Sequence, residues 1–271
     1  MRPDWQGKGG ASRLFGGAFA DFMRVHAGKV RLVWAETRAT SVKPQTVCET
    51  IGLNPLGILP GKDVFFSQRE TPVLMAIYAS SAWSTRDATL RIMPALEPLY
   101  KHVAATFRKM QKDDVGIVES RIDSSSTCKP MVIVSDFEKR FGYTTHHFTC
   151  AKTGESIAIN VNHQCMNADG MELHCTTPPT ARALLAFALE YLQGMGIEYV
   201  EGYCPANRPG LQAAFFAAGF TPFGYVPAWN KDARGLFIDH VIFGWSEHGI
   251  DITKTCLTPK SDKLARVLGW T

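Results

Sequence analysis

The residues best suited to chemistry stand at the start of the chain: Gln6, Gly7, Lys8, Gly9, Gly10 and Ala11, followed by Ser12 and Arg13. Behind them Leu14, Phe15, Ala18, Phe19 and Phe22 recur at helical spacing, so the glycine-rich hexapeptide opens onto a helix. A helix start leaves its first backbone N–H groups unpaired and aimed at one point, which is where a phosphate binds. Glycines let the backbone approach such a ligand with no Cβ in the way, and Lys8 and Arg13 add positive charge. The same composition also serves as structural punctuation between elements.

Further candidates follow. Glu36 closes an apolar run, Val30 to Ala35, that reads as a buried strand. A carboxylate there either takes a proton from an amine or sits in solvent beside Arg38. Ser41 precedes a short helix, Gln45 to Ile51, as an N-cap or as a ligand contact. Cys48, inside that helix, is either a proton donor and nucleophile or a small core residue. Gly52 is a C-cap glycine, and Pro55 to Pro60 with a second apolar run, Val73 to Ala79, completes a hairpin.

This order of loop, helix, strand, short helix ending in glycine, and hairpin resembles the C-terminal half of the GCN5-related N-acetyltransferase family. That family's pyrophosphate loop, Gln/Arg-x-x-Gly-x-Gly/Ala, is matched in register by Gln6, Gly9 and Ala11, and the likeness covers roughly residues 2 to 80. The resemblance implies an α/β (α+β) fold and acetyl-CoA as co-substrate, held by Gln6 to Ser12 with Ser41, Lys43 and Gln45 touching the coenzyme. It implies transfer of the acetyl group to the amine of a small molecule, without a metal, and gives Glu36 the place of the base. The family often has a tyrosine four residues before the glycine as the acid. Here Cys48 stands at that position, so it inherits the role. Residues 1 to 5 leave room for barely the end of a strand before the loop, so the resemblance implies either the C-terminal piece of a longer polypeptide or a sheet completed by a partner chain or a second copy.

The chain also repeats itself. A shift of 167 residues lays Val33 on Val200, Gln45 on Gln212, Gly52 on Gly219, Pro55 on Pro222, Gly57 on Gly224 and Pro60 on Pro227, without a gap. Two acetyltransferase-like modules are therefore expected, each a mixed, mostly antiparallel sheet flanked by helices. Residues 1–82 are the C-terminal half of the first, 83–128 a helical bridge, 129–250 the second module, and 251–271 a peripheral tail. In the second module strands are expected over 131–134, 143–150, 156–161 and 170–175. A helix follows with Ala181, Leu184, Leu185, Ala188 and Leu192 on one face. Its loop reads Cys175-Thr176-Thr177-Pro178-Pro179-Thr180, with no glycine and two prolines that donate no N–H. Its second copy of the tyrosine position is Phe215. This module is expected to bind coenzyme A poorly.

Composition narrows the classes. At 271 residues, 45% apolar and 20% charged, the chain reads as a soluble globular protein. A net charge of +4 suits a polyanionic small molecule and is too small for a nucleic-acid footprint. No apolar run approaches a membrane span, and the seven scattered cysteines suggest reduced thiols in a cytoplasm. Cys150, Cys165, Cys175 and Cys204, with His146, His147, His163 and His174, offer zinc ligands in principle, but without a Cys-x-x-Cys pair. The alternative from another class is a non-catalytic acyl-CoA-binding or scaffold subunit, a pseudo-acetyltransferase.

Overall fold

The computed structural model of the chain describes residues 9–122, 129–135 and 142–270. The first periodic stretch forms α1 (Gly10–Val25), introduced by Gly9 in the left-handed region at φ 69°. Then come β1 (Leu32–Arg38) and α2 (Val42–Thr50). The strand starts and stops later than its apolar run suggests. Thr37 and Arg38 still pair, with Val73 and Pro72, so Glu36 lies inside the strand instead of closing it. Next are β2 (Asn54–Ile58), the small hairpin β3 (Asp63–Phe65) and β4 (Gln68–Glu70), and β5 (Pro72–Tyr78).

The connecting region holds α3 (Ser80–Ser84), β6 (Thr89–Ile92), α4 (Glu97–Thr106) and β7 (Asp114–Ile117), with β6 and β7 paired in parallel as a separate ribbon. The second half runs β8 (Pro130–Ser135), β9 (Tyr143–Cys150), β10 (Ser156–Asn162), β11 (Asn167–His174), α5 (Pro178–Gly194) and β12 (Tyr199–Pro205). It ends with α6 (Pro209–Ala217), β13 (Thr221–Lys231), β14 (Phe237–Ser246) and α7 (Pro259–Val267). Helix α5 buries Ala181, Leu184, Leu185, Ala188 and Leu192, the face its periodicity marks. Helix α1 leaves Leu14, Phe15 and Phe22 exposed and sets Phe19 against the core.

The two halves do not keep separate sheets. Among the described residues ten strands form one sheet in the order β1-β5-β2-β13-β14-β12-β11-β10-β9-β8. The join is β2 against β13, antiparallel, with Gly57 opposite Gly224, the very pair that the 167-residue shift superimposes. A Cβ on Gly224 would stand 2.5 Å from the Leu56 carbonyl oxygen and 2.6 Å from the Gly57 Cα, so only glycine allows the two backbones to meet.

Other positions related by the same shift behave alike. Gly52 and Gly219 have φ 95° and 91°, and Gly61 and Ala228 have φ 69° and 47°. Gln45 and Gln212 are both fully buried. Gln45 donates from Nε2 to the Cys256 carbonyl (2.8 Å) and accepts from the Thr258 N–H (3.3 Å). Gln212 donates to the Arg91 carbonyl (3.2 Å) and accepts from the Met93 N–H (2.9 Å). Each glutamine thus grips the arm that leaves the other half's hairpin. This corrects the reading of 251–271 as peripheral: α7 packs on β2 and α4, Leu264 and Ala265 are buried, and Trp270 meets Phe223 edge-on. A short amphipathic segment looks weak alone but is held by tertiary burial. Among the described residues no helix is long and apolar enough to cross a membrane.

Gly224→Ala is expected to lower the unfolding free energy by about 2–3 kcal/mol, through forced displacement of β2 from β13. Gly57→Ala, whose Cβ would meet the Ile242 Cδ1 at 3.1 Å and the Phe223 oxygen at 3.2 Å, should cost less. Urea unfolding of both variants checks the order.

Candidate functional site

The sheet must curl for its side chains to meet as they do. Strands β1 and β12 are separated by β5, β2, β13 and β14. At about 4.8 Å per strand a flat sheet would hold β1 and β12 roughly 24 Å apart. Yet Lys62 Nζ, from the turn after β2, donates to Glu36 Oε1 of β1 and to Glu201 Oε1 of β12, each at 2.8 Å. The other Glu201 oxygen accepts from the Tyr199 hydroxyl at 2.6 Å. Burial alone would lower the Lys62 pKa, but Glu201 and Glu36 outweigh it and hold the ammonium charged well above its ordinary value. Burial raises the Glu36 carboxyl above the usual carboxylate range, with Lys62 pulling it back only in part.

A second centre occupies the equivalent positions. The 167-residue shift carries Lys62 onto Trp229, Glu36 onto Tyr203 and Trp34 onto Glu201. Trp229 stacks on Tyr203 with ring centroids 5.1 Å apart and meets Trp34 at 5.9 Å. Both centres therefore clasp β1 to β12 across the concave face, one by charge and one by aromatic contact.

At the C-terminal end of β1 lies a cavity of about 420 Å³, lined by Thr40, Gly61, Arg69, Glu70, His248 and Lys254 among others. Arg69 is fixed there by the Glu198 carboxylate and by the Gly61 (2.8 Å) and Cys165 (3.0 Å) carbonyls. Arg38 pairs with Glu70 through two guanidinium nitrogens. The Ser41 hydroxyl accepts from the Lys43 N–H at 3.1 Å, so it caps α2.

Gly9 and Gly10 start α1 with no side-chain cap and no acidic residue in the first turn. Gln6, Gly7 and Lys8 lie outside the described residues. Gln45 is fully buried, and its amide holds the Cys256 carbonyl and the Thr258 N–H. Cys48 is 6% exposed, and burial, with Glu49 adding to it, raises its pKa and keeps the thiol protonated. Among the described residues no group of three His, Cys, Asp or Glu side chains is arranged to hold a metal ion.

The loop before α5 has a different fate. The Glu155 carboxylate accepts from the Thr176 N–H and hydroxyl, both at 2.6 Å, and from the Thr177 N–H (2.9 Å) and hydroxyl (2.7 Å). Partial desolvation pushes this carboxyl up, but those hydrogen bonds outweigh it and bring the pKa down to about 2. The amides at the start of α5 are thus held by a carboxylate of the chain itself. Sequence reasoning found the missing glycines here but not Glu155, because its partners lie more than twenty residues along the chain.

Beyond Met171 and Gly202, β11 and β12 stop pairing although they run on to His174 and Pro205. A cleft of about 430 Å³ opens there, lined by Leu173, Tyr203, Arg208, Lys231 and His240 among others. No local pattern in the sequence marks this cleft, because its lining comes from β11, β12, α6, β13 and β14.

No family model matches the sequence, and no curated protein matches it. Solved structures do. A spermidine/spermine N-acetyltransferase from Vibrio cholerae, in complex with manganese ions, is similar with 13% identity over 40% of this chain and 68% of its own, at a TM-score of 0.34. A dodecameric spermidine N-acetyltransferase from Vibrio cholerae matches at 14% identity, covering 40% and 67%, with a TM-score of 0.33. A probable acetyltransferase from Staphylococcus epidermidis matches at 13% identity, covering 40% and 71%, with a TM-score of 0.32.

Asp169 lies within the field of Lys62, Glu201 and Asp63, and burial raises its carboxyl to about 6 against the pull of Lys62. An unfolded aspartate titrates near ~3.9, so between about pH 4 and 6 the native state binds more protons and loses stability as pH rises. Asp169→Asn is expected to remove that decline and to raise stability at neutral pH by roughly 1–3 kcal/mol. Thermal unfolding across pH 4 to 8 measures both.

Proposed function

We propose that this chain is a tandem acetyltransferase-like protein that moves an acetyl group from acetyl-CoA to the amine of a small molecule, with the coenzyme on the first half. One observation carries the reading. Two helix starts occupy related places, α5 with its anion seat filled by Glu155, and α1 uncapped behind a glycine-rich loop with Arg13 beside it. An uncapped helix N-terminus of that kind is the better seat for a pyrophosphate. Gln6 to Ser12 would supply the amides, and Ser41 sits at the start of α2 beside the cavity that would take the rest of the coenzyme.

In this reading Glu36 takes the ammonium proton of the acceptor, directly or through water. Its raised pKa brings it nearer to that task, and Lys62 holds its orientation. The departing thiolate, with a pKa near ~8.5, needs no dedicated acid, and Cys48, buried as a thiol, is then a core residue. The reaction so read calls for no metal, and the scattered cysteines favour a reducing cytoplasm as its place.

A second reading rests on a specific feature. Among the described residues strand β1 is the sheet's edge and has β5 as its one neighbour, whereas β12 is flanked by β14 and β11. A strand from a partner chain or a second copy, set beside β1, would complete the first half. Without it the protein is an acyl-CoA-binding subunit.

Calorimetric titration of acetyl-CoA into the whole chain tests the reading, with Gly9→Glu as the control. Binding by the parent and its loss in the variant are expected, and binding that Gly9→Glu leaves unchanged would move the coenzyme elsewhere. Where acetyl transfer to an amine is then found, Glu36→Gln should lower kcat by about 10²-fold or more with acetyl-CoA binding retained.

A further inference from the structure

We propose that the cleft at the C-terminal ends of β11 and β12 is a binding site for a free amino acid with an apolar side chain, separate from the coenzyme seat. Its three recognition elements come from different parts of the fold: β11, β12, β13, β14 and the start of α6. The floor and walls are Met171, Leu173, Pro205, Leu211 and Ile238, which suit an aliphatic or aromatic side chain. The volume of about 430 Å³ falls in the range of small-molecule pockets.

The second element is His240. It is 5% exposed, and its Nδ1 lies 3.2 Å from the Ile238 carbonyl. A carbonyl only accepts, so Nδ1 carries the proton and Nε2 is left as a bare acceptor, with no partner among the described residues. Burial lowers the pKa to about 4 against the opposing Ile238 bond, so the ring is neutral at physiological pH. A neutral imidazole presented to a cleft accepts from an ammonium group.

The third element is positive charge. Arg208 is oriented by the Cys175 (3.1 Å) and Thr176 (3.2 Å) carbonyls and has no carboxylate partner among the described residues. Lys231 rests over the Phe237 ring and has no carboxylate partner among the described residues. The one acidic side chain on the lining, Glu172, lies 3.6 Å from the His174 ring. Two cations at the rim suit the carboxylate of the ligand.

Glu155 sharpens the assignment. It occupies the Thr176 and Thr177 donors next to Arg208, so those amides offer nothing to a phosphate-bearing molecule at this end of the cleft. The cleft also lies at the opposite end of the sheet from the cavity beside β1. An odd number of antiparallel steps joins β1 to β12, so their C-terminal ends point in opposite directions.

The test is calorimetric titration of L-leucine into the full chain, beside 4-methylpentanoate, which lacks the amine, and 3-methylbutylamine, which lacks the carboxylate. L-leucine is expected to bind at least about 10-fold more tightly than either analogue. Lys231→Met should weaken L-leucine by about 5–10-fold and leave the amine analogue unchanged. His240→Phe should weaken L-leucine and leave 4-methylpentanoate unchanged. If His240→Phe fails to fold, the analogue pair and Lys231→Met, at an exposed position, still decide the matter. Equal binding of the three probes, no binding up to about 10 mM, or indifference to Lys231→Met would each overturn the proposal. Gly9→Glu, which should abolish acetyl-CoA binding, is expected to leave L-leucine binding intact, so the two readings fail separately.

Discussion

The meeting of two bare backbones at Gly57 and Gly224 is the constraint on which the molecule rests. A β-sheet gains from continuity because every edge leaves N–H and C=O groups without partners. Here the edges of two three-strand ribbons, β1-β5-β2 and β12-β14-β13, are joined at a single pair of glycines. Side chains at that crossing would separate β2 from β13, and the ten strands would fall into two sheets. Once the join is made, the arms follow. Gln45 and Gln212 each find the backbone of an arm from the opposite half, so each half completes the other's hydrogen bonding.

Continuity also makes the sheet curl, and the curl sets the chemistry of the concave face. Lys62, in the turn after β2, and Trp229, at a register shift within β13, hold equivalent positions and bridge the same two strands, yet by different physics. A buried ammonium requires carboxylates around it, and it has two in contact. The aromatic bridge requires no charge and leaves its end of the face apolar. One fold with two related centres therefore offers an ionic end, where carboxylate pKa values rise, and an aromatic end that opens toward a cleft.

The starts of α1 and α5 differ in whether a carboxylate of the chain itself stands against them. At α5 a single glutamate in the preceding β-hairpin supplies the negative charge that the helix dipole and the loop amides attract. At α1 no acidic residue stands in the first turn. The difference is one carboxylate in the right place, not a difference of fold.

Much was legible in the residues themselves. The glycine-rich start of α1, the buried stripe of α5 and the hairpin prolines and glycines all obey local rules, and local rules act over a few residues. The 167-residue repeat was legible for the same reason, since Gly52, Gly57 and Gln45 each meet a demand of backbone geometry or burial that recurs. What only the tertiary structure decided involves partners far apart in the chain. Glu36 and Glu201 share Lys62, Glu155 fills a loop some twenty residues on, and Gln45 holds Cys256 across more than two hundred. His240 reads as an unremarkable histidine until β11 and β12 part beside it. The chain's periodicity specifies which face of each element is apolar, but which strands become neighbours depends on the burial and pairing of the whole sheet, and that is where the sites arise.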